Sequence, residues 1–367
     1  MPTLSHREIH GDPSRVAVTL PLGEELAPLG GGAGFPLLED PRKTDRALII
    51  GMFVLRPAQD AWTTPLDDVP AALRAGRDWC FNVKGVDGGW LIAAGNPLDA
   101  YRLALQYGLS DAAIVGSNTV VTEGVDHDGH EGYLWQPYGP AAWPQLAALD
   151  GELAERIARL RLQWQAEGVL SSRRWPAQIV VTQSGKLRPG ARDVFEARVF
   201  SATHPDGSPV ESHVLTSEAG AERLRARAKD HGLADRIDEI LLVASPPGDA
   251  ETLDIPAVPR LLRERLDIRI ANHDGGRTVL SEFSAAGVLP QMNLTLMRAR
   301  SVREVLQAAE QVDETTKATL LAEFDARRQL FFSNDHALPT ALEPVSVLSD
   351  DGEAIVVAFD ARTVRGL

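Results

Sequence analysis

Apolar runs of strand length and amphipathic helical segments take turns along residues 97–298, and most of the runs end in a glycine or a small polar turn. This alternation constrains the fold more than any other feature of the chain. Strand, helix, strand is the crossover unit of a parallel sheet, so the pattern predicts an α/β fold: a mostly parallel sheet with helices on both faces. Asn96 and Pro97 open a helix as cap and first residue, with Leu98, Tyr101, Ala104 and Leu105 on one face and Gly108 at its end. "DAAIVG" (111–116) follows as a short buried strand, and "SNTVV" begins a turn or helix at its carboxyl end. Residues 147–167 carry Leu153, Ile157, Leu160 and Trp164 at helical spacing. "AQIVVTQSG" (177–185), "SHVLTS" (212–217), "EILLVA" (239–244), "DIRIA" (267–271) and "QMNLTLM" (291–297) read as strands. Helices lie between them, stopped at Gly232 and Gly287 among other places.

The outer segments follow other rules. Residues 1–45 read as irregular, with "LGGGAGFPLLEDP" as loop. "ALIIGMFVL" (47–55) reads as a strand or a core-covering extension, and "RDWCFNVKGVDGGWLIA" (77–93) as a hairpin. Residues 301–330 predict one long charged helix, and "EPVSVLSDDGEAIVVAFDAR" a terminal hairpin that adds antiparallel strands at one side. The expected organisation is an extension, 1–76, packed on a main domain, 77–367, with a helical insertion at 301–330.

Composition narrows the function classes. With 44% hydrophobic and 24% charged residues, the chain can build a globular core. A formal charge of −14 argues against nucleic-acid or anionic-membrane binding, which needs a positive field. An anionic small molecule needs a local site of cationic or N–H groups. No apolar run is long enough to span a bilayer, and the first residues lack the apolar core of a signal peptide. The single cysteine, Cys80, has no internal disulfide partner and suits a reducing, cytoplasmic setting. It lies in an apolar run and reads as core.

Ligands of open α/β sheets sit at the carboxyl ends of the strands. Three strands end in turns of one kind: "VGSNT" (115–119), "TQSGK" (182–186) and "HDGGRT" (273–278). The pair Gly275–Gly276 removes two Cβ atoms just before a helix, where unpaired N–H groups and the dipole favour an anion. A pyrophosphate suits such a cradle, and Arg277 adds a charge-assisted contact. A tight turn that needs glycine is the other reading of the same residues.

"KGVDGGW" (84–90), "AGNPLDAYRLALQYGLSDAAIVGSNTVVTEG" (94–124), "WPAQIVVTQSGKL" (175–187), "HVLTS" (213–217) and "DGGRTVLSEFSAAGVL" (274–289) stand in an order that resembles the reductase domain of bacterial riboflavin biosynthesis, a relative of dihydrofolate reductase. The resemblance covers roughly residues 77–298 and the terminal hairpin. It implies a dihydrofolate-reductase-like fold, NADPH as cofactor and hydride transfer to a C=O or C=N of a small heterocyclic or phosphorylated substrate. It further implies cofactor contacts from Gly116, Ser117, Thr119, Gly275, Gly276, Arg277 and Thr278. Catalytic or substrate roles fall to Asp87, Asp274 and Lys84, and a homodimer is the assembly it suggests. Asp274 stands where the family has Glu, a carboxylate one methylene shorter. The residues themselves also allow Asp87 as a turn former, Asp274 as an N-cap and Lys84 as a surface lysine.

The chain departs from the pattern at "PQM" (290–292), at 301–330 and in its N-terminal segment, so a reductase-like binding or structural protein without catalysis is the alternative function. "DHDGHEG" (126–132) has metal-ligand residue types in a polar loop with no helix to fix geometry, and no metal is expected. "GGGAG" (30–34) lacks the flanking strand and helix of a dinucleotide loop. Tyr133, Trp135, Tyr138 and Trp143 read as a loop packed over the core.

Overall fold

A computed structural model of the chain describes residues 5–6, 13–20, 35–57, 79–80, 96–122, 153–187, 192–204, 206–274, 276–310, 312–326, 343–349 and 354–361. Seven strands run parallel: β4 (Leu48–Pro57), β6 (Ala112–Gly116), β7 (Ala177–Val181), β8 (Ser212–Thr216), β9 (Leu241–Val243), β10 (Ile270–His273) and β11 (Gln291–Met297). Their order across the sheet is β11-β4-β10-β6-β7-β8-β9. The terminal hairpin, β12 (Glu343–Ser349) and β13 (Ala354–Asp360), continues the sheet antiparallel beyond β11, and β1 (Ser5–His6) pairs with β12 at that edge. This is the expected fold class, mostly parallel with an antiparallel C-terminal hairpin.

Both faces are covered, and the strand residues divide between them by the alternation of the pleat. One face carries Ile49, Phe53, Ile114, Ile179 and Leu294 under α5 (Val258–Leu266) and α6 (Arg277–Ala285). Ile50 and Ile270 point the other way, into a cluster with α1 (Pro97–Gly108) and α3 (Leu153–Ala166). Further along that face Val115, Val180 and Val214 pack with α4 (Glu218–Ala228) and the helical turn Ile237–Ile240. Within α3, Ile157, Leu160 and Trp164 are buried, as their spacing requires. Asn96 caps α1 by accepting from Asp99 N at 3.1 Å. Gly232, at φ 68°, ends the short 3-10 turn after α4.

The run 47–55, read as a strand or a core-covering extension, is a central strand between β11 and β10. Its side chains are buried on both faces, and only the interior of a doubly covered parallel sheet can host such a run. The single helix expected at 301–330 is two helices within the described residues, α7 (Val302–Ala308) and α8 (Glu314–Ala326). Ala309 leaves helical geometry at φ −71°, ψ 104°, and Asp313 restarts the helix by accepting from Thr316 N at 2.9 Å. The strand expected at 239–244 is shorter, because Ile237–Ile240 first closes one helical turn. Of the hairpin expected at 77–93, only β5 (Trp79–Cys80) is described, antiparallel to Arg56–Pro57. Among the described residues no helix is long and apolar enough to cross a membrane.

Candidate functional site

The three strands whose tips carry the turns "HDGGRT", "VGSNT" and "TQSGK" are adjacent, in the order β10-β6-β7. β6 passes through Gly116 directly into α2 (Ser117–Thr122). A Cβ at Gly116 would lie 3.2 Å from Val279 Cγ2, so this glycine lets α6 approach the strand. β10 ends at His273, and Asp274 N donates to Ile114 O at 3.0 Å, tying this tip to its neighbour. Gly276 is the N-cap of α6, at φ −59°, ψ 173°. That conformation is open to any residue, so its torsions do not require glycine. A Cβ there would meet only Thr119 Oγ1, at 3.7 Å. Gly276 and Thr119 thus face one another, with room for a Cβ between them, near the starts of two helices.

The third tip is pinned. Gly185 has φ 56°, and a Cβ on it would fall 2.5 Å from Gly220 O. Gly220 is equally constrained, since its Cβ would fall 2.0 Å from Thr216 Oγ1. Only glycines allow the turn 182–185 to lie on the first turn of α4. Thr216 Oγ1 and Ser217 N donate to Gln183 O at 3.2 Å each, Arg223 to Ser184 O at 2.8 Å, and Arg227 to Gly185 O at 2.9 Å.

Between the tips of β6 and β7 and the start of α6 lies a cleft of ≈ 230 Å³. Gly116, Ser117 and Asn118 form one side, the turn 182–187 another, and Thr278, Val279 and Glu282 of α6 a third. Lys186, Arg192 and Arg227 bring positive charge to it. Arg227 is held by Asp193 at 2.5 Å and Arg192 sits 3.5 Å from Glu196, while Lys186 is exposed at the rim. Burial pushes the Glu282 carboxyl up from its ordinary range. The cleft therefore combines hydroxyl donors, the start of α6 and three basic side chains, two of them paired with acids behind the wall, a donor set that suits phosphate oxygens.

Among the expected site residues, Gly116, Ser117 and Thr278 line the cleft, while Thr119 and Gly276 face each other outside its lining. Arg277 opens α6, its side chain outside the described residues, as are Lys84, Asp87 and Gly275. Asp274 does not cap the helix, a position that Gly276 occupies; its Oδ2 accepts from Tyr107 OH at 2.9 Å. The loops "DHDGHEG" and "GGGAG" and the aromatic segment 133–143 also lie outside the described residues, and Cys80 is described by its backbone strand alone. Among the described residues no group of three metal-ligating side chains occurs. Sequence reasoning missed Asn118, Lys186, Arg192, Arg227, Glu282 and Tyr107. Lys186 was visible in "TQSGK", but Arg192 and Arg227 reach the cleft from separate elements and carry no local signal.

No family model matches the sequence, and no curated protein matches it. Among solved structures, the chain is similar to a pyrimidine reductase-like protein from Corynebacterium diphtheriae, at 15% identity and a TM-score of 0.44, over 86% of this chain and 91% of that one. It is similar to RibD of Acinetobacter baumannii at 13% identity and a TM-score of 0.37, over 86% of this chain and 58% of that one. A third likeness is to the riboflavin biosynthesis reductase Rib7 of Saccharomyces cerevisiae, at 10% identity and a TM-score of 0.37, over 87% and 91% of the two chains. The chain thus spans little more than half the length of RibD.

Proposed function

We propose that the chain is an NADPH-dependent reductase that transfers hydride to a C=O or C=N of a small heterocyclic or phosphorylated substrate. One observation carries this reading: the turns that end the adjacent strands β6 and β7 meet the start of α6, the helix that follows β10, around one polar cleft at the carboxyl edge of a parallel sheet. The order of sequence motifs supports the same class of cofactor. A volume of ≈ 230 Å³ falls below the range of about 300–1,000 Å³ usual for drug-sized ligands, so the cleft takes part of a dinucleotide, the phosphate-bearing part by its donor set.

In this reading Ser117 and Thr278 donate hydroxyls to phosphate oxygens, and Lys186 and Arg192 supply charge-assisted contacts. Arg227, fixed by Asp193 and Gly185 O, gives the wall a charge of fixed position. Bound NADPH supplies the hydride. Lys84 and Asp87 are assigned to the substrate end, and Asp274 to orientation there.

Thermal-shift titration with NADPH, NADH and flavins tests the reading, because a ligand that binds only the folded state raises its stability. NADPH is expected to raise the melting temperature progressively with concentration, and NADH less, for want of the phosphate that meets the cationic wall. No shift with either nicotinamide cofactor at millimolar concentration overturns the proposal. Gly276→Val, which fills the gap opposite Thr119, is expected to abolish the NADPH effect; an unchanged titration would place the cofactor elsewhere.

A further inference from the structure

A dinucleotide that starts in the cleft has to leave it in one direction along the strand tips. Toward β8 and β9 the way is closed, because the turn 182–185 lies in contact with the first turn of α4. In the other direction the strand tips follow in the order β7, β6, β10 and then β4, in steps of about 4.8 Å. The first side chain of chemical consequence on that path is Asp274, immediately after β10. Its backbone is anchored to β6 and its carboxyl group to the hydroxyl of Tyr107, a tyrosine of α1 with no solvent exposure. Tyr107 packs against Met52 of β4 and Ala113 of β6, so the phenol has a fixed seat beneath the sheet's central tips.

A fixed carboxylate is a poor neighbour for a phosphate and a good one for a cation. The nicotinamide ring is neutral when reduced and cationic when oxidised. Resting on the reductase reading, we infer that Tyr107 is a positioning residue that holds Asp274 at the nicotinamide end, where its negative charge favours the oxidised ring over the reduced one. The same preference assists the reaction, since positive charge grows on the ring as hydride departs. Two electrons and one hydrogen nucleus pass to the acceptor carbon, and the acceptor's oxygen or nitrogen takes a proton from solvent. The tyrosine's contribution is orientation: one carboxylate oxygen is fixed by a hydrogen bond whose donor cannot swing away.

Isothermal titration of NADP+ and NADPH against wild type, Asp274→Asn, Asp274→Glu and Tyr107→Phe tests this without a substrate. Asp274→Asn is expected to weaken NADP+ relative to NADPH about tenfold, as loss of one nearby charge in a partly desolvated site implies. Tyr107→Phe, which leaves the charge but frees its rotation, is expected to change the ratio about threefold in the same direction. Asp274→Glu keeps the charge and is expected to stay within about twofold of wild type. An unchanged ratio in both Asp274→Asn and Tyr107→Phe, with both cofactors still bound, overturns the inference and leaves the reductase reading standing. Failure of wild type to bind either cofactor overturns the reductase reading itself. Circular dichroism checks each fold, and if Asp274→Asn does not fold, Tyr107→Phe decides by the same ratio.

Discussion

At the amino edge of the parallel sheet, charged groups are buried or half-buried and partnered. Asp111, wholly buried before β6, accepts from Ser171 N at 2.9 Å, Ser171 Oγ at 2.7 Å and Arg269 N at 2.9 Å. Arg161 beside it donates to the carbonyls of Gly108, Ser110 and Arg173. Arg173 in turn grips Glu211 through two hydrogen bonds of 2.8 and 2.9 Å, and His213 contacts the same carboxylate at 3.1 Å. The carboxyl edge is built differently. Its turns rely on glycine, Lys186 and Thr278 are exposed, and the hydroxyls of Ser117 and Thr278 make no hydrogen bond among the described residues. One edge uses its polar groups to join strand starts and helix ends, and the other leaves the Ser117 and Thr278 hydroxyls outside such bonds among the described residues. Disruption at the first is therefore expected to appear in stability, and disruption at the second in binding.

The largest effect expected is from Asp111→Ala, which removes the acceptor of Ser171 N, Ser171 Oγ and Arg269 N and the carboxylate 3.8 Å from Arg161. Urea unfolding is expected to show a loss of about 3–5 kcal/mol; a loss below about 1 kcal/mol would deny the amino edge its structural role. Gly185→Ala crosses the boundary between the two edges. It combines a left-handed backbone with a contact of 2.5 Å to Gly220 O, and is expected to cost about 3 kcal/mol. Because it displaces the turn 182–187, it is also expected to weaken NADPH binding.

Beneath the tips lies His273, fully buried between Phe53 and Phe283, where burial pushes its pKa down to about 3. A depressed pKa means that the folded state resists a proton the unfolded state accepts. Stability from the neutral ring is thus complete above the ordinary value of 6.5 and is lost as pH falls toward 3. Between pH 6.5 and 5 the loss is expected to be about 2 kcal/mol, followed by denaturant melts at each pH. His273→Phe is expected to flatten that segment.

Glu211 gives the amino edge its own pH signature. Burial favours the protonated acid, but hydrogen bonds from His213 and Arg173, with the Arg173 charge, outweigh it and hold the carboxyl down to about 2. Its contribution is present above pH 4.5 and is lost as pH falls toward 2. With the side chain 40% exposed, Glu211→Gln is expected to cost about 1 kcal/mol at pH 7, and the difference from wild type should close in acid. The smallest stability effect is expected from Lys186→Ala, within about 0.5 kcal/mol, together with NADPH binding weakened about tenfold. If the lysine variant lost stability without losing affinity, the contrast between the edges would fail at its ligand side.

Much of the fold was legible because strand and helix impose periods of two and 3.6 residues that survive in the sequence. The run 97–298 shows this, with Asn96, Gly232 and Gly287 at the element ends where their torsions or side-chain bonds are needed. The run 47–55 was legible as apolar but not as central, since a chain does not write down which neighbours a strand will take. The two helices at 302–326 were merged for a related reason: the break at Ala309 rests on backbone torsion and the Asp313 cap, which charge patterning does not reveal. At the site, the three glycine-type turns were readable and their adjacency was not. Arg227 reaches the cleft from 42 residues beyond Gly185, and Tyr107 meets Asp274 across 167 residues of sequence.

The sequence by itself determined the class of fold, through alternating periodicities, and the kind of turn at each strand tip, through glycine and small polar residues whose conformational preferences are local. Only the tertiary structure decided that β10, β6 and β7 stand side by side, that Gly185 must be glycine because Gly220 lies against it, and that Tyr107 steadies Asp274. Local torsional preference acts over a few residues and is written in the chain. Contact and field act through space, and exist only after the sheet has brought distant segments together.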